Sequence, residues 1–402
     1  MAAYSRDVPA PDVSDLVVET IEVPNEDNAY IYFEKTVDSF DWPEDDRRVD
    51  SILVDGQWDE EYVAGLLSRN AQTLALVKRG LACREYQPRE EPKLEPPKLP
   101  YLWLPRIAKL MALETMREKR AGRVRNAWES CLDRYRLFCL SAICPRGVVE
   151  YAVSSTVLCR ALDEINQLLV ESAPQEKELI RLSEALSNVG SLDGGMVRAI
   201  KEEFQLISEV IDSPGFRGVG GSLFSGYLFQ PNRTRRICAQ FFRAGIQVAS
   251  QPYAQVRVAE FGALPQSETQ RRLLCLRRNG AGGIVVGSIV SSSAIMGPVT
   301  ARCLAQSRLD GLRLVAACRL YEIRYGRLPE TLEALVPEYL KEVPRDPFDG
   351  KPFRYLPERA VVYSVGKDLR DSSASVTPVS DANSSGRARR NGDDLVCLIH
   401  AR

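Results

Sequence analysis

Apolar residues recur every three or four positions through much of the first 300 residues, which predicts a chain built mainly of helices. A first helix is expected after Pro24–Asn28, where short polar side chains and acids can accept hydrogen bonds from the free N–H groups of a first turn. Helical spacing then marks Tyr62–Val77, Ile107–Leu140, Val148–Val170, Lys177–Val189 and Met196–Ile211. The pattern has no fixed period, so no named helical-repeat architecture is indicated.

The last hundred residues change from helical to strand periodicity. One apolar stripe of a helix is formed by Leu309, Leu312, Ala316, Leu320 and Ile323. Gly326 can end this helix, and runs of aromatic and β-branched residues at Phe353–Leu356 and Val361–Val365 predict two antiparallel strands. The predicted fold class is therefore α+β: a mainly helical N-terminal body with a small C-terminal α/β head, in which a long helix packs on a short antiparallel sheet.

Prolines mark the clearest boundary along the chain. Six of them fall between residues 88 and 105, too many for a helix, which favours a linker or a strap packed on the surface. We therefore divide the chain into an N-terminal helical segment (1–87), this proline-rich linker or strap (88–105), a helical body (106–298) and a head (299–402).

Composition and charge narrow the classes of partner. The 402 residues are 45% hydrophobic and carry 53 lysines and arginines against 54 aspartates and glutamates. Such a composition is typical of a soluble globular protein with two or three domains. Balanced charge gives no general attraction to nucleic acid or to an anionic membrane, so we expect protein partners that bind through local patches. The oligomeric state is left open.

Cysteine and histidine usage restricts the chemistry. The ten cysteines include no C-x-x-C pair, and the single histidine, His400, lies near the end of the chain. Zinc clusters, redox motifs and Ser-His-Asp or Cys-His catalysis are therefore not indicated. The glycine-rich stretch Ser213–Gly226 lacks the Lys-Ser/Thr of a phosphate-binding loop. We nominate no catalytic and no cofactor-binding residue, although a pair of carboxylates could act without histidine.

The sequence indicates no secretory signal and no clear membrane span. Residues 1–9 lack a basic start followed by an apolar run. Asn279–Ala301 contains no charged residue, but its glycines, serines and Pro298 interrupt the run of about 20 apolar residues that a span requires. We expect a buried or loop segment there. With cysteines that suit a reducing compartment, these features predict a cytoplasmic protein.

Three local motifs follow one another in the last hundred residues. A long helix leads into Y-x-x-x-x-G-x-L-P-x-x-L-x-x-L from Tyr321, then V-P-x-D-P-F from Val343, then Y-S-x-G-x-D from Tyr363. This series resembles the globular head of the major pseudopilin of type II secretion systems. The whole chain resembles a group of bacterial proteins, typical of planctomycete-type genomes, that join such a head to a helical region. The resemblance implies a secretion-related role and, as an alternative location, the periplasm or a membrane surface.

The resemblance also implies a calcium site. In the pseudopilin family, the loop after the third motif binds Ca²⁺ through carboxylates and backbone carbonyls. Asp368 and Asp394 match carboxylate ligands of that loop, and Val365 matches a carbonyl donor, so Ca²⁺ is the implied cofactor. Asp371, Asp381 and Asp393 have no individual match. The alternative is that these acids are solvated or paired with nearby arginines, among them Arg370.

The chain departs from the family in three ways, one of which is a longer loop after Asp368. Residues 1–29 are polar and acidic where a pseudopilin has a hydrophobic helix, which argues against ordinary filament assembly. The turn at Asp349-Gly350 is one residue longer than the family pattern.

Three functional hypotheses follow from these observations. The first hypothesis is a non-enzymatic structural or interaction protein, in which the helical body carries the pseudopilin-like head. The alternative is a hydrolase that uses carboxylates in a cleft between body and head. A third hypothesis is a membrane-tethered accessory component. The lack of histidine and of a nucleophile motif favours the first.

Overall fold

The structure is a computed structural model that describes residues 7–89, 95, 97–100, 102–172, 174–187, 192–213, 229–256, 292–374 and 394–400. Several predicted features lie outside these residues: most of the glycine-rich stretch (214–226), most of the uncharged stretch (279–291), and Asp381 and Asp393. The described part is mainly helical, with a small antiparallel sheet near its C-terminal end, so the predicted α+β class is confirmed.

The helices are, in chain order, α1 (Ala29–Thr36), α2 (Arg47–Val54), α3 (Glu60–Arg69), α4 (Ala71–Leu81), α5 (Trp103–Arg120), α6 (Val124–Ile143), α7 (Val148–Ser172), α8 (Glu176–Ser187), α9 (Leu192–Asp212), α10 (Pro231–Gln247) and α11 (Ser292–Tyr325). The strands are β1 (Arg354–Leu356), β2 (Val361–Ser364) and β3 (Leu395–Leu398). None of the helices within the described residues has both the length and the apolar character needed to cross a membrane.

Two of the predicted helices are each divided in the structure. The predicted Tyr62–Val77 helix breaks at Asn70, whose side chain accepts from the Asp41 N–H at 2.9 Å and donates to the Leu66 carbonyl at 3.0 Å. An asparagine that bonds to the backbone in this way competes with helix continuation. The predicted 107–140 helix divides into α5 and α6 around Gly122, whose φ of +71° suits a residue without a Cβ.

The proline-rich segment ends earlier than predicted, because α5 begins at Trp103 and includes Pro105. Proline is tolerated in a first helical turn, where its missing N–H has no intrahelical partner. Trp103 anchors this end of α5: its Nε1–H donates to Thr36 Oγ1 at 2.6 Å, and its ring lies 5.5 Å from that of Phe33.

Helix α11 is the long helix of the head, and it begins earlier than expected. It starts at Ser292 and contains Pro298, so the end of the uncharged stretch is helical and the predicted body–head boundary falls inside this helix. It packs against α7 and also against β2 and β3. Leu309, Leu312 and Ala316 are buried as predicted, but Ile323 is 48% exposed and does not belong to the inner stripe.

The sheet has the order β1-β2-β3, and both pairs are antiparallel. The hairpin β1–β2 was predicted, whereas β3 was not. Gly311 lets α11 approach β3 closely, since a Cβ at this position would lie 2.6 Å from Cys397 Sγ. One buried apolar cluster includes Leu162 of α7, Leu312 of α11 and Phe353 beside β1, so the core is continuous between the helices and the sheet.

Candidate functional site

The head is organised around the carboxylate of Asp346, which is fully buried. Its Oδ1 accepts hydrogen bonds from the Phe348 N–H and the Ser364 hydroxyl, both at 2.9 Å. Its Oδ2 accepts from the Val365 N–H at 2.9 Å and from Arg354 Nη1 at 3.0 Å. A buried carboxylate requires such partners, and these four fix the V-P-x-D-P-F turn to β1 and to the end of β2.

Arg354 extends this network toward the loop after β2. Its guanidinium also forms an ion pair with Asp349 and lies 3.6 Å, through Nε, from the Asp371 carboxylate. The Tyr363 hydroxyl donates to Asp371 Oδ1 at 3.1 Å. We refer to Asp346, Asp349, Arg354, Ser364 and Asp371 as the Asp346 cluster. It connects the second and third sequence motifs through side chains.

The same turn is attached to the helical part of the chain. The Tyr253 and Ala254 N–H groups donate to the carbonyls of Pro347 and Phe348, each at 2.9 Å. From α11, Cys303 Sγ lies 3.3 Å from the Pro347 carbonyl, with its thiol as donor. The turn is therefore fixed from both sides, by the sheet and by the helices.

Burial is the largest influence on the acidity of Asp346. Removal of the carboxyl from water raises its pKa, and the hydrogen bonds from the Phe348 and Val365 N–H groups act against that rise. The four donors are those that an ionised carboxylate needs to remain buried. Both carboxylate oxygens of Asp346 already accept hydrogen bonds from residues of the head. The arrangement therefore indicates a structural carboxylate rather than a catalytic acid.

The structure places the three predicted calcium ligands around one loop, but with different environments. Asp394 is buried, and its carboxylate accepts from the N–H groups of Ser372 at 3.1 Å and Ala374 at 2.8 Å. Asp368 is exposed, and its Oδ1 accepts from the Arg370 N–H at 3.0 Å. Val365 is buried and donates its N–H to Asp346.

Within the described residues, no group of three or more His, Cys, Asp or Glu side chains is arranged to hold a metal ion. Charge nevertheless accumulates at this loop. Burial raises the pKa of Asp394, and the neighbouring Asp371 and Asp368 carboxylates raise it further. The backbone here is also unusual, because Leu369, Ser373 and Ala374 have positive φ values of 61°, 54° and 56°. Hydrogen bonds from the loop N–H groups to Asp368, Asp371 and Asp394 stabilise this conformation.

The hydrolase hypothesis requires acids that converge in a cleft between helical body and head. Four acids lie along α11 where it faces the helices or the C-terminal segment, and each has a cationic or imidazole partner. These pairs are Asp163–Arg308 at 2.8 Å, Asp193–Arg302 at 3.0 Å, Asp310–Arg313 at 2.9 Å and Glu322–His400 at 3.0 Å. Such pairing favours structural ion pairs over a catalytic pair of carboxylates.

An aromatic surface lies at the C-terminal end of α11. The ring of Tyr321 is 4.4 Å from that of Tyr325 and 6.1 Å from that of Tyr339. Tyr325 is 49% exposed. We call Tyr321, Tyr325 and Tyr339 the tyrosine patch. Ion pairs border it at Arg324–Glu338 and Arg327–Glu330.

Sequence reasoning identified some of these residues and missed others. The motif that contains Asp346 was visible, but its four partners lie up to 19 positions away and depend on the path of the sheet. The tyrosine patch had a local signal, since Tyr321 and Tyr325 are one helical turn apart. The apolar run of β3 was also a signal for a third strand.

Comparison of the chain with protein-family models, with curated proteins and with solved structures gives no match.

Proposed function

We propose that this protein is a non-enzymatic structural or interaction protein, in which the helical body holds a pseudopilin-like head for contact with a protein partner. The pseudopilin resemblance implies a secretion-related setting. The tyrosine patch is the observation that carries the proposal. Tyrosine provides a large apolar area and a polar hydroxyl at a small cost in conformational entropy, and it is enriched at protein interfaces.

The composition of the patch suits a protein surface. Its centre is aromatic, and its border consists of ion pairs, which is the usual arrangement of an interface core and rim. The patch lies at the end of the 34-residue helix α11, which contributes residues between Ile295 and Cys318 to the buried core clusters. A surface on such a rigid element loses little freedom on binding.

Isolation of the protein from its source cells tests this surface. The variant Tyr325→Ser removes an exposed aromatic side chain of the patch and should retain the fold. Val124→Ser is the matched control, because Val124 is 42% exposed at the start of α6. We expect native mass spectrometry to show a complex with a protein partner for the wild type and the control, and its loss in Tyr325→Ser. Isolation of all three as the free chain, or of the same complex from all three, would contradict the proposal.

The calcium site is a second part of the proposal. The accumulated charge of Asp368, Asp371 and Asp394 supports it, because a divalent cation would relieve the repulsion, and carboxylate and carbonyl oxygens are the ligands that Ca²⁺ prefers. Bound Ca²⁺ would order the loop. The N–H donors on Asp394 and the proximity of Arg354 to Asp371 act against it.

A thermal melt of chelator-treated protein, with and without millimolar Ca²⁺, tests the ion. A ligand that binds only the folded state raises the melting temperature. We expect an upward shift that Asp368→Ala abolishes, whereas an unchanged wild-type melt would exclude a structural Ca²⁺. The hydrolase alternative stays a prediction. The four acids described along α11 each have a cationic or imidazole partner, which does not favour it.

A further inference from the structure

A groove of about 550 Å³ lies in the helical body. It is lined by side chains from α2, α5, α6 and α7. Small residues create the space: Ala108 and Ala112 are one turn apart on α5, and Val157 and Ala161 are one turn apart on α7. Residues four apart lie on one face of a helix, so each pair leaves a shallow channel between the helices. A volume of this size suits a small organic ligand.

The floor and the mouth of the groove are apolar. Phe138 of α6 is buried in the floor, and Val54 at the end of α2 lines the groove while remaining 52% exposed. Met116 adds a flexible side chain that can adapt to the shape of a ligand. An apolar chain that lay along these residues would bury surface that now contacts water.

A buried arginine lies among these apolar residues. The side chain of Arg134 is only 3% exposed, and it forms an ion pair through Nη2 with Glu164, whose side chain is 40% exposed. The buried Arg134 Nε has no hydrogen-bond partner. A guanidinium has five N–H donors, and a buried donor without an acceptor is costly. The structure therefore holds a cation in this groove that one carboxylate does not satisfy.

A second arginine extends the positive charge to the rim. Arg160 of α7 lines the groove and is exposed, and no described residue forms a hydrogen bond or an ion pair with it. The other cations of the lining are occupied: Lys109 pairs with Asp46 and Asp50, and Lys119 pairs with Glu171. Of the two acids in the lining, Glu164 pairs with Arg134 and Asp163 pairs with Arg308. Among the cations of the lining, Arg160 thus has no partner in the described part of the chain and can bind an external anion.

We propose that this groove binds an anionic amphiphile, a molecule with an apolar chain and a carboxylate or phosphate head. The chain lies along the channel of small residues, and the head binds Arg160 at the rim and the unsatisfied guanidinium of Arg134. Arginine suits both head groups, because its planar fork can donate two parallel hydrogen bonds to either. The site does not depend on the tyrosine patch or on the calcium loop.

Binding of three probes to the full chain tests the proposal by isothermal titration calorimetry below the critical micelle concentration. The probes are decanoate, decyl phosphate and decanol, which share a chain and differ in the head. We expect decanoate or decyl phosphate to bind at least tenfold more tightly than decanol, and the tighter of the two identifies the preferred head. Equal binding of all three, or no binding of either anion, would overturn the proposal.

Three variants locate the site. Arg160→Gln removes the free cation and should weaken binding of the anion about tenfold or more, without loss of fold. Ala112→Leu fills the channel and should abolish binding. Arg136→Gln is the matched control, because Arg136 lies on α6 outside the groove with its side chain 56% exposed. Unchanged affinity in Arg160→Gln, or equal loss in Arg136→Gln, would contradict the assignment.

Discussion

Substitution of Asp346 tests the structural role that we assign to the buried carboxylate. Asp346→Ala leaves the N–H groups of Phe348 and Val365 without their acceptors in a buried turn. Each unsatisfied buried N–H costs about 1–3 kcal/mol, so the free energy of unfolding should fall by about 4 kcal/mol. Arg354 retains its ion pair with Asp349, which limits the loss. Asp346→Asn keeps one acceptor oxygen, but its NH₂ group faces hydrogen-bond donors of the turn. We expect it to lower the free energy of unfolding by about half as much as Asp346→Ala does.

Urea unfolding, followed by circular dichroism, measures this effect. The exposed Asp38→Ala is the control, and surface substitutions of this kind usually change stability by no more than about 0.5 kcal/mol. Amide hydrogen exchange adds a local test, because the Phe348 and Val365 amides should lose protection in Asp346→Ala. A change of less than about 1 kcal/mol in Asp346→Ala, with both amides still protected, would refute the reasoning.

Two further predictions concern helix packing and pH. Gly195→Ala should destabilise the protein by about 3 kcal/mol or more, because the added Cβ would lie 2.0 Å from the Ala142 carbonyl oxygen. Gly297→Ala is the control, because the space around Gly297 is open and alanine favours helix, so this variant should be neutral or slightly stabilising. Urea unfolding measures both. The hydrogen bond from Arg123 lowers the pKa of Glu118 from 4.5 to about 2. The stabilisation is therefore present above pH 4.5 and is lost as the pH falls toward 2, so Glu118→Gln should be slightly less stable than wild type at pH 7 and equal to it near pH 2. A constant difference across this range would contradict the assignment.

Much of the fold was predictable because local physics dominates it. The helices follow from apolar spacing, and the β1–β2 hairpin follows from β-branched runs separated by Pro357. The errors have local causes as well. The bonds of Asn70 to the backbone ended a helix that the apolar pattern continued, and the end of the uncharged stretch, expected to be a buried or loop segment, is helical and contains Pro298. At Asn70, hydrogen bonds from the side chain to the backbone decided where the helix ends. At Pro298, packing of α11 outweighed the low helix propensity of proline.

The functional sites were less predictable, since they depend on contacts between distant segments. The hydrogen bond between Asp346 and Val365 spans 19 positions, and the groove arises only when α5 and α7 lie side by side. Arg134 and Arg160 carry no signal in the sequence, where they are two arginines among ordinary helical residues. The calcium ligands came from the pseudopilin resemblance, and the ion itself stays a prediction.

The proposed protein contact and the proposed ligand site use separate surfaces. The tyrosine patch carries the first proposal, and the groove in the helical body carries the second. They lie on different elements, the end of α11 and the channel between α5 and α7, so each can be altered alone. This separation allows the interaction role and the ligand role to be tested independently.

Site-specific photocrosslinking tests the interaction role most directly. A photoreactive phenylalanine analogue is placed at Tyr325 in one variant and at the exposed Val124 in another, and both are irradiated in the source cells. If the tyrosine patch binds a protein, the variant at 325 forms a discrete adduct with one partner, and the variant at 124 does not. No adduct at 325, or the same adducts at both positions, would contradict an interaction surface at the end of α11.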